Sequence, residues 1–263
     1  MSKHNEKIIH QFKKQAYGFS NKNLSLNNNQ HIRWVLSSIF LDKSFSVLDV
    51  AAGTGIISRA VSPFVSKVTS LDLSPDMIHQ GKQENKQHKI SNIQFVQGSA
   101  ENLPFVDDAF DIVICRLAFH HFTDPYKIFR EMVRCGKRNS TIVVIDMICP
   151  RDSKLSQSYN HYESLRDSSH VKALTREELV KMYKMFAVKV LACEALKVEK
   201  SVKDWLALTK TNNETGSRII GDLKDELSGG EETGLSPFHN EEELMFYHTY
   251  FKIIGIKGQK NIH

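Results

Sequence analysis

The run VLDVAAGTG, Val47 to Gly55, sets an acid inside an apolar stretch that then breaks into alanines and glycines. Small residues let a ligand approach the backbone, whose N–H groups can hold a negative charge. GTGIIS, Gly53 to Ser58, nearly matches the GxGxxG/A nucleotide fingerprint, with Ser58 at the third small position. Asp72 closes a second apolar run further on. A carboxylate there can accept two charge-assisted hydrogen bonds from ribose hydroxyls, each worth roughly 1.5–3 kcal/mol. Together they suit a nucleoside without separating one nucleoside from another.

Asp49 bears on that separation. A pyrophosphate resting on the turn would face its charge, whereas a ligand ending in an ammonium and a sulfonium would be drawn to it. S-adenosylmethionine has that charge pattern. Asp49 can also brace the turn through backbone hydrogen bonds, and the two roles are compatible.

Proton chemistry is offered elsewhere. LAFHHF contains His120 and His121, and an imidazole titrates near neutrality. Either can take a proton, orient a ligand or brace a loop. YNHYESLRDSSH gathers Tyr159, Tyr162, Glu163 and Arg166 on one helical face, followed by Asp167 and His170. Arg166 could pair with an anionic or phenolic group and His170 could serve as a base. The other reading is a polar helix with a Glu163–Arg166 surface pair. Trp205 and the stripe Phe246 and Tyr250 read as core.

These residues need elements to place them. Apolar runs predict strands at Phe45–Val50, Lys67–Leu73, Asn92–Gly98, Phe110–Cys115 and Thr141–Ile148. Helices are predicted at residues 4–19, from Asn27 through Ile39, at Ile56–Val65, after Ser74-Pro75 and after Asp124-Pro125. Alternating strands and helices imply a doubly wound, mostly parallel sheet, in which ligands sit beyond the carboxyl ends of the strands. Asp49–Gly55, Asp72, Ser99–Glu101 and Arg116–His121 all fall there. A helical segment then interrupts the alternation, followed by a helix at Arg176–Met185, a sixth strand at Phe186–Leu196, and helices from Trp205 to Leu227. A long strand, LMFYHTYFKIIGIK, closes the chain.

Composition narrows the classes. The 263 residues are 41% hydrophobic, which allows a sizeable core. No apolar stretch is long enough for a membrane span, and the N-terminus has no secretory pattern. Four scattered cysteines without a CxxC pair fit a reducing cytoplasm better than a disulfide or cysteine–zinc framework. The formal charge of +5 is dispersed, without the basic stripe and interleaved aromatics of a nucleic-acid footprint.

VLDVAAGTG, LDLSPDMI, GSAENLPF and FDIVICRLAFHHF, in this order and spacing, resemble the class I S-adenosylmethionine-dependent methyltransferases. The resemblance is greatest to the branch holding the ubiquinone/menaquinone biosynthesis methyltransferases and many small-molecule methyltransferases. It implies a Rossmann-like α/β fold with a seven-stranded sheet and an antiparallel final strand. It implies that Ala51, Gly53, Thr54 and Gly55 lie under the methionine part, with Asp49 near its ammonium. Asp72 would hold the ribose, Leu73 and Met77 would flank adenine, and Ser99, Ala100 and Glu101 would edge it. Arg116 would line the methionine end, and Phe19 would close over the cofactor from an N-terminal helix. Two departures stand out. Ala51 replaces a glycine, which is tolerable if that residue avoids positive φ. Ser99 replaces an aspartate and offers adenine a weaker hydrogen bond.

The expected organisation is one domain with a helical lid (1–42), a cofactor core (43–150), an acceptor-pocket insertion (151–185) and completing strands and helices (186–263). The expected reaction is methylation of O, C or N on a cyclic or quinone-like small molecule, leaving S-adenosylhomocysteine. The alternatives are a nonenzymatic cofactor-binding scaffold or an RNA methyltransferase. No metal is expected. A cytoplasmic monomer or homodimer is.

Overall fold

The computed structural model describes residues 2–15 and 29–258. The helices are α1 (Lys3–Gln15), α2 (Asn29–Leu36), α3 (Ile56–Val61), α4 (Pro75–Gln87), α5 (Pro125–Cys135), α6 (Ser153–Arg166), α7 (Arg176–Met185), α8 (Val202–Leu208) and α9 (Asn213–Leu227). The strands are β1 (Ser46–Val50), β2 (Lys67–Asp72), β3 (Ile93–Gln97), β4 (Phe110–Arg116), β5 (Gly136–Ile148), β6 (Val188–Ser201), β7 (Phe238–Asn240) and β8 (Glu243–Lys257). Their order is β3-β2-β1-β4-β5-β8-β6, with β7 paired to β8. β1 to β5 run parallel, while β8 is antiparallel to β5, β6 and β7. The path has the expected seven strands, mostly parallel with an antiparallel final strand. The three-residue β7 is an eighth strand too short to carry a periodic signal.

β1 is buried along its whole length, which is why it reads as a continuous apolar run. Alternate residues serve opposite faces. Leu48 and Val50 join Ile128, Phe129 and Met132 of α5 and Leu179 and Met182 of α7. Val47 joins Val35 of α2 and Ile57 and Val61 of α3 on the other face. A third cluster sits beyond this double layer, where Met147, Tyr159, Trp205, Ile219, Phe246 and Tyr250 meet. It unites α6, α8 and α9 with the long outer strands.

Local chemistry fixes the helix starts. Ser74 accepts from the Met77 N–H ahead of α4, and Asp124 from the Lys127 N–H ahead of α5. Thr175 and Glu178 form a reciprocal capping box on α7. α3 ends at Val61 rather than Val65, because Ser62–Phe64 tightens into a 3-10 turn containing Pro63. α1 ends at Gln15 among the described residues, so Phe19 and the expected extension to residue 19 lie outside them, as does the expected start at Asn27.

Strand order reverses between β1 and β4, opening a crevice beyond their carboxyl ends. α4 presses against the turn after β1. A Cβ on Gly81 would sit 2.6 Å from the Thr54 carbonyl oxygen and 2.4 Å from Phe95 Cζ, so only glycine allows that approach.

Candidate active site

A cavity of about 480 Å³ fills the crevice, within the size range of small-molecule sites. One end is the turn after β1. Gly53 and Gly55 adopt φ of +56° and +81°. Ala51 also lies at positive φ, +54°, so the condition under which a methyl is tolerated there is not met. The turn therefore keeps its left-handed geometry and strains an alanine to do so, at about 1–2 kcal/mol. Ala51→Gly is expected to raise stability by up to about 1 kcal/mol, after the extra chain entropy of glycine. Thermal denaturation checks this, with cofactor affinity expected to stay within about twofold.

Two acids hold the turn. Asp72 accepts from the Gly53 N–H at 2.7 Å and the Ser74 N–H at 2.8 Å. Asp49 accepts from the Ser58 hydroxyl at 2.6 Å and the Ser58 N–H at 3.1 Å. Burial pushes the Asp49 carboxyl up to about 6 despite those bonds and the nearby Arg116. Burial also raises Asp72, against the N–H groups of Ser74 and Gly53. Both acids line the cavity, so Asp49 braces the turn and faces the ligand space together. Leu73, Met77, Ser99, Ala100, Glu101 and Arg116 line the same end. Ser99 Oγ caps the Glu101 N–H at 3.2 Å, and Glu101 pairs with Lys127 at 3.1 Å.

The other end begins at the 3-10 turn Phe119–His121. His120 Nδ1–H donates to Asp146 Oδ1 at 2.6 Å. Asp146 is itself fixed by the N–H groups of Phe119 and Met147, each at 2.6 Å. Burial alone would lower the His120 pKa, but the paired Asp146 outweighs it and raises the imidazole above its ordinary value. His121 behaves oppositely. Burial and the neighbouring His120 push it down to about 3, although Asp167 opposes them. Its Nδ1–H donates to the Ser169 carbonyl at 3.0 Å, so Nε2 carries the lone pair. The two rings lie 4.1 Å apart between centroids. α1 closes over them: Asn5, Ile8, Phe12 and Gln15 line the cavity from one helical stripe. Phe12 packs edge-on to His121, and Gln15 donates to Asp167 at 3.3 Å.

Residues 48–144 match a family model described as a methyltransferase domain. The uncharacterized methyltransferase YcgJ of Bacillus subtilis (strain 168) is 38% identical over 137 residues, covering 52% of this chain and 54% of that protein. By sequence the chain thus spans about half the length of YcgJ. Its crystal structure superposes with a TM-score of 0.81 at 27% identity, over 88% of this chain and 100% of that one. A demethylmenaquinone methyltransferase of Geobacillus sp. (strain WCH70) is 26% identical over 205 residues, covering 68% of this chain and 87% of that protein. Residues 48–144 thus carry a methyltransferase domain, and the chain is similar in sequence and fold to proteins described as methyltransferases. The fold is also that of Haemonchus contortus phosphoethanolamine N-methyltransferase 2, crystallised with S-adenosylhomocysteine (TM-score 0.68, 16% identity, 98% of this chain and 61% of that one).

The first cavity end fits S-adenosylmethionine. Thr54 Oγ1 is buried there without a hydrogen-bond partner, so a polar ligand group has a donor waiting. A Cβ built on Gly53 meets nothing within 4 Å, which leaves room above the turn.

The predicted acceptor-side residues are placed unevenly. His120, His121 and Arg166 line the cavity. His170 does not: it lies behind His120, with ring centroids 5.6 Å apart, and burial lowers its pKa to about 4. Its Nε2–H donates to Asn160 at 2.9 Å, which ties it to α6 rather than to the ligand space. Glu163 and Arg166 are not a surface pair. Their side chains are 0% and 8% exposed, 3.2 Å apart, and Glu163 also accepts from His248 Nε2–H at 2.6 Å. Trp205 and Tyr250 belong to the core as expected, but each also forms cavity wall.

Sequence reasoning missed Asp146 and His248. Asp146 sits inside the Val/Ile run of β5, where a single acid amid apolar neighbours was the available signal. His248 alternates with Phe246 and Tyr250 on one face of β8, so period-two patterning could have found it.

Proposed function

We propose that this protein transfers a methyl group from S-adenosylmethionine to a cyclic or quinone-like small molecule in the cytoplasm. The observation that carries this reading is the continuity of the cavity. The nucleoside-type turn lies at one end, and titratable and aromatic side chains line the other. A nonenzymatic scaffold would need only the first end. The demethylmenaquinone methyltransferase among its relatives favours a ring-shaped acceptor.

When bound, S-adenosylmethionine supplies an electrophilic methyl on a sulfonium. The chain's own part is to orient the acceptor, exclude water and take a proton. Ile8 and Phe12 of α1, with Trp205 and Leu208 of α8, shield the acceptor end. His120 is the base for an acceptor that holds its proton. Asp146 fixes the Nδ1–H tautomer and stabilises the imidazolium, leaving Nε2 to receive the proton. His121, held neutral near a pKa of about 3, is too weak a base and orients instead. Residues 151–185 supply the acceptor wall through Arg166 and Asp167.

Calorimetric titration with S-adenosylhomocysteine, with NAD+ as control, tests the cofactor end. Micromolar binding of the first and none of the second is expected. Incubation of the protein with S-adenosylmethionine and metabolite extract should then add one methylene mass to a small molecule. Cofactor binding without any methylated product from a broad set of extracts would favour the scaffold.

A further inference from the structure

Among the described residues, seven buried side-chain polar atoms lack a hydrogen-bond partner, and four of these belong to one group. They are Arg166 Nε, Trp205 Nε1, His248 Nδ1 and Glu163 Oε2, the last already engaged by Arg166 Nη2 in an ion pair at 3.2 Å. Buried polar groups are almost always satisfied, so such a cluster calls for a missing partner. The group is contiguous. The Arg166 guanidinium lies 5.1 Å over the Trp205 ring, and the Trp205 and His248 rings are 6.5 Å apart. Glu163 joins the ends, accepting from His248 and lying 3.2 Å from Arg166. Arg166, Trp205 and His248 all line the cavity.

The chemistry of the other three atoms selects the partner. Arg166 Nε–H and Trp205 Nε1–H are donors. His248 gives its Nε2–H to Glu163, so its Nδ1 is an acceptor, while Glu163 Oε2 is taken up by Arg166 Nη2. A carboxylate only accepts and would bring a second anion beside Glu163. An ammonium only donates and would leave both N–H groups orphaned beside Arg166. A hydroxyl does both: its oxygen accepts and its hydrogen is donated. The same cavity is lined by Phe12, Leu208, Met245 and Tyr250, which calls for an apolar body on the same molecule. We propose that Arg166, Trp205 and His248, backed by Glu163, form a subsite for a hydroxyl group carried by an apolar ring. The assignment rests on the acceptor reading of this end of the cavity, and it places recognition on α6, α8 and β8, outside the turns that hold the cofactor.

The test uses four ring probes: phenol, toluene, benzoate and benzylamine. Trp34→Phe leaves Trp205 as the sole tryptophan and reporter. The full-length protein is titrated by fluorescence with each probe, with and without saturating S-adenosylhomocysteine. Phenol is expected to bind at least tenfold more tightly than the other three. Arg166→Lys keeps a charge for Glu163 but removes the Nε–H. It should weaken phenol at least fivefold and leave toluene unchanged. His248→Phe should abolish the preference for phenol over toluene. A structural role alone would not move that ratio. Equal binding of phenol and toluene, or preference for benzoate or benzylamine, overturns the subsite. Failure of S-adenosylhomocysteine to bind overturns the methyltransfer reading instead, and the probe ratio without it still reads the subsite.

Discussion

Asp72→Ala is expected to weaken S-adenosylhomocysteine binding at least a hundredfold, measured by calorimetry. Two charge-assisted hydrogen bonds to ribose hydroxyls would be lost, together about 3–6 kcal/mol. A second loss follows, because Asp72 also anchors the turn through the Gly53 and Ser74 N–H groups. Freed, Gly53 can leave its left-handed conformation and spoil the methionine end as well. Folding should suffer less than binding. The substitution also removes a carboxylate whose burial is unfavourable, as its raised pKa records. Unchanged circular dichroism with lost affinity is therefore the expected pair of results. Affinity within threefold of the parent would take Asp72 out of the ribose site. Asp72→Asn should fall between, since an amide oxygen can serve one N–H while its NH2 opposes the other.

The cofactor end was legible in the sequence because its parts are local. Each of Asp49–Gly55, Asp72 and Ser99–Glu101 follows or ends one strand, and strand, turn and helix cap lie within a dozen residues of one another. The sheet followed from the same alternation, and β5 and β6 merely run longer than their apolar cores suggest. β5 begins at Gly136, which pairs with Phe110 across an irregularity in the ladder, and β6 ends at Ser201, because pairing with the long β8 carries polar residues into the sheet. The acceptor end was less legible because its parts are distant. His120 meets Asp146 across 26 residues, and Glu163 meets His248 across 85. Helical spacing did place Glu163 beside Arg166, but nothing in the spacing says whether that face meets water or β8. Ala51 shows a local question settled at a distance: whether its methyl avoids positive φ was open in the sequence, and the turn held by Asp72 and the β1–β2 pairing places it at positive φ.

His120→Ala is expected to lower turnover about 10²–10³-fold while leaving S-adenosylhomocysteine affinity within threefold. His121→Ala should cost less than tenfold, since its lone pair is too weakly basic to accept a proton. The pH profile separates the base from a brace. A base works unprotonated, and Asp146 raises the His120 pKa above the ordinary 6.5. Turnover should therefore rise with pH and level off above an inflection lying higher than 6.5. Stability runs the other way. A raised folded-state pKa gives a contribution complete below the unfolded value and lost as pH climbs through the folded one. Activity should thus be gained over the same window in which the His120–Asp146 pair ceases to stabilise the fold. Asp146→Asn removes the negative charge that raises the imidazole, so the inflection should move down. Turnover on the plateau should also fall about tenfold or more, because the tautomer is no longer fixed by a carboxylate. An inflection that stays in place in Asp146→Asn would assign the profile to another group and return His120 to the loop it supports.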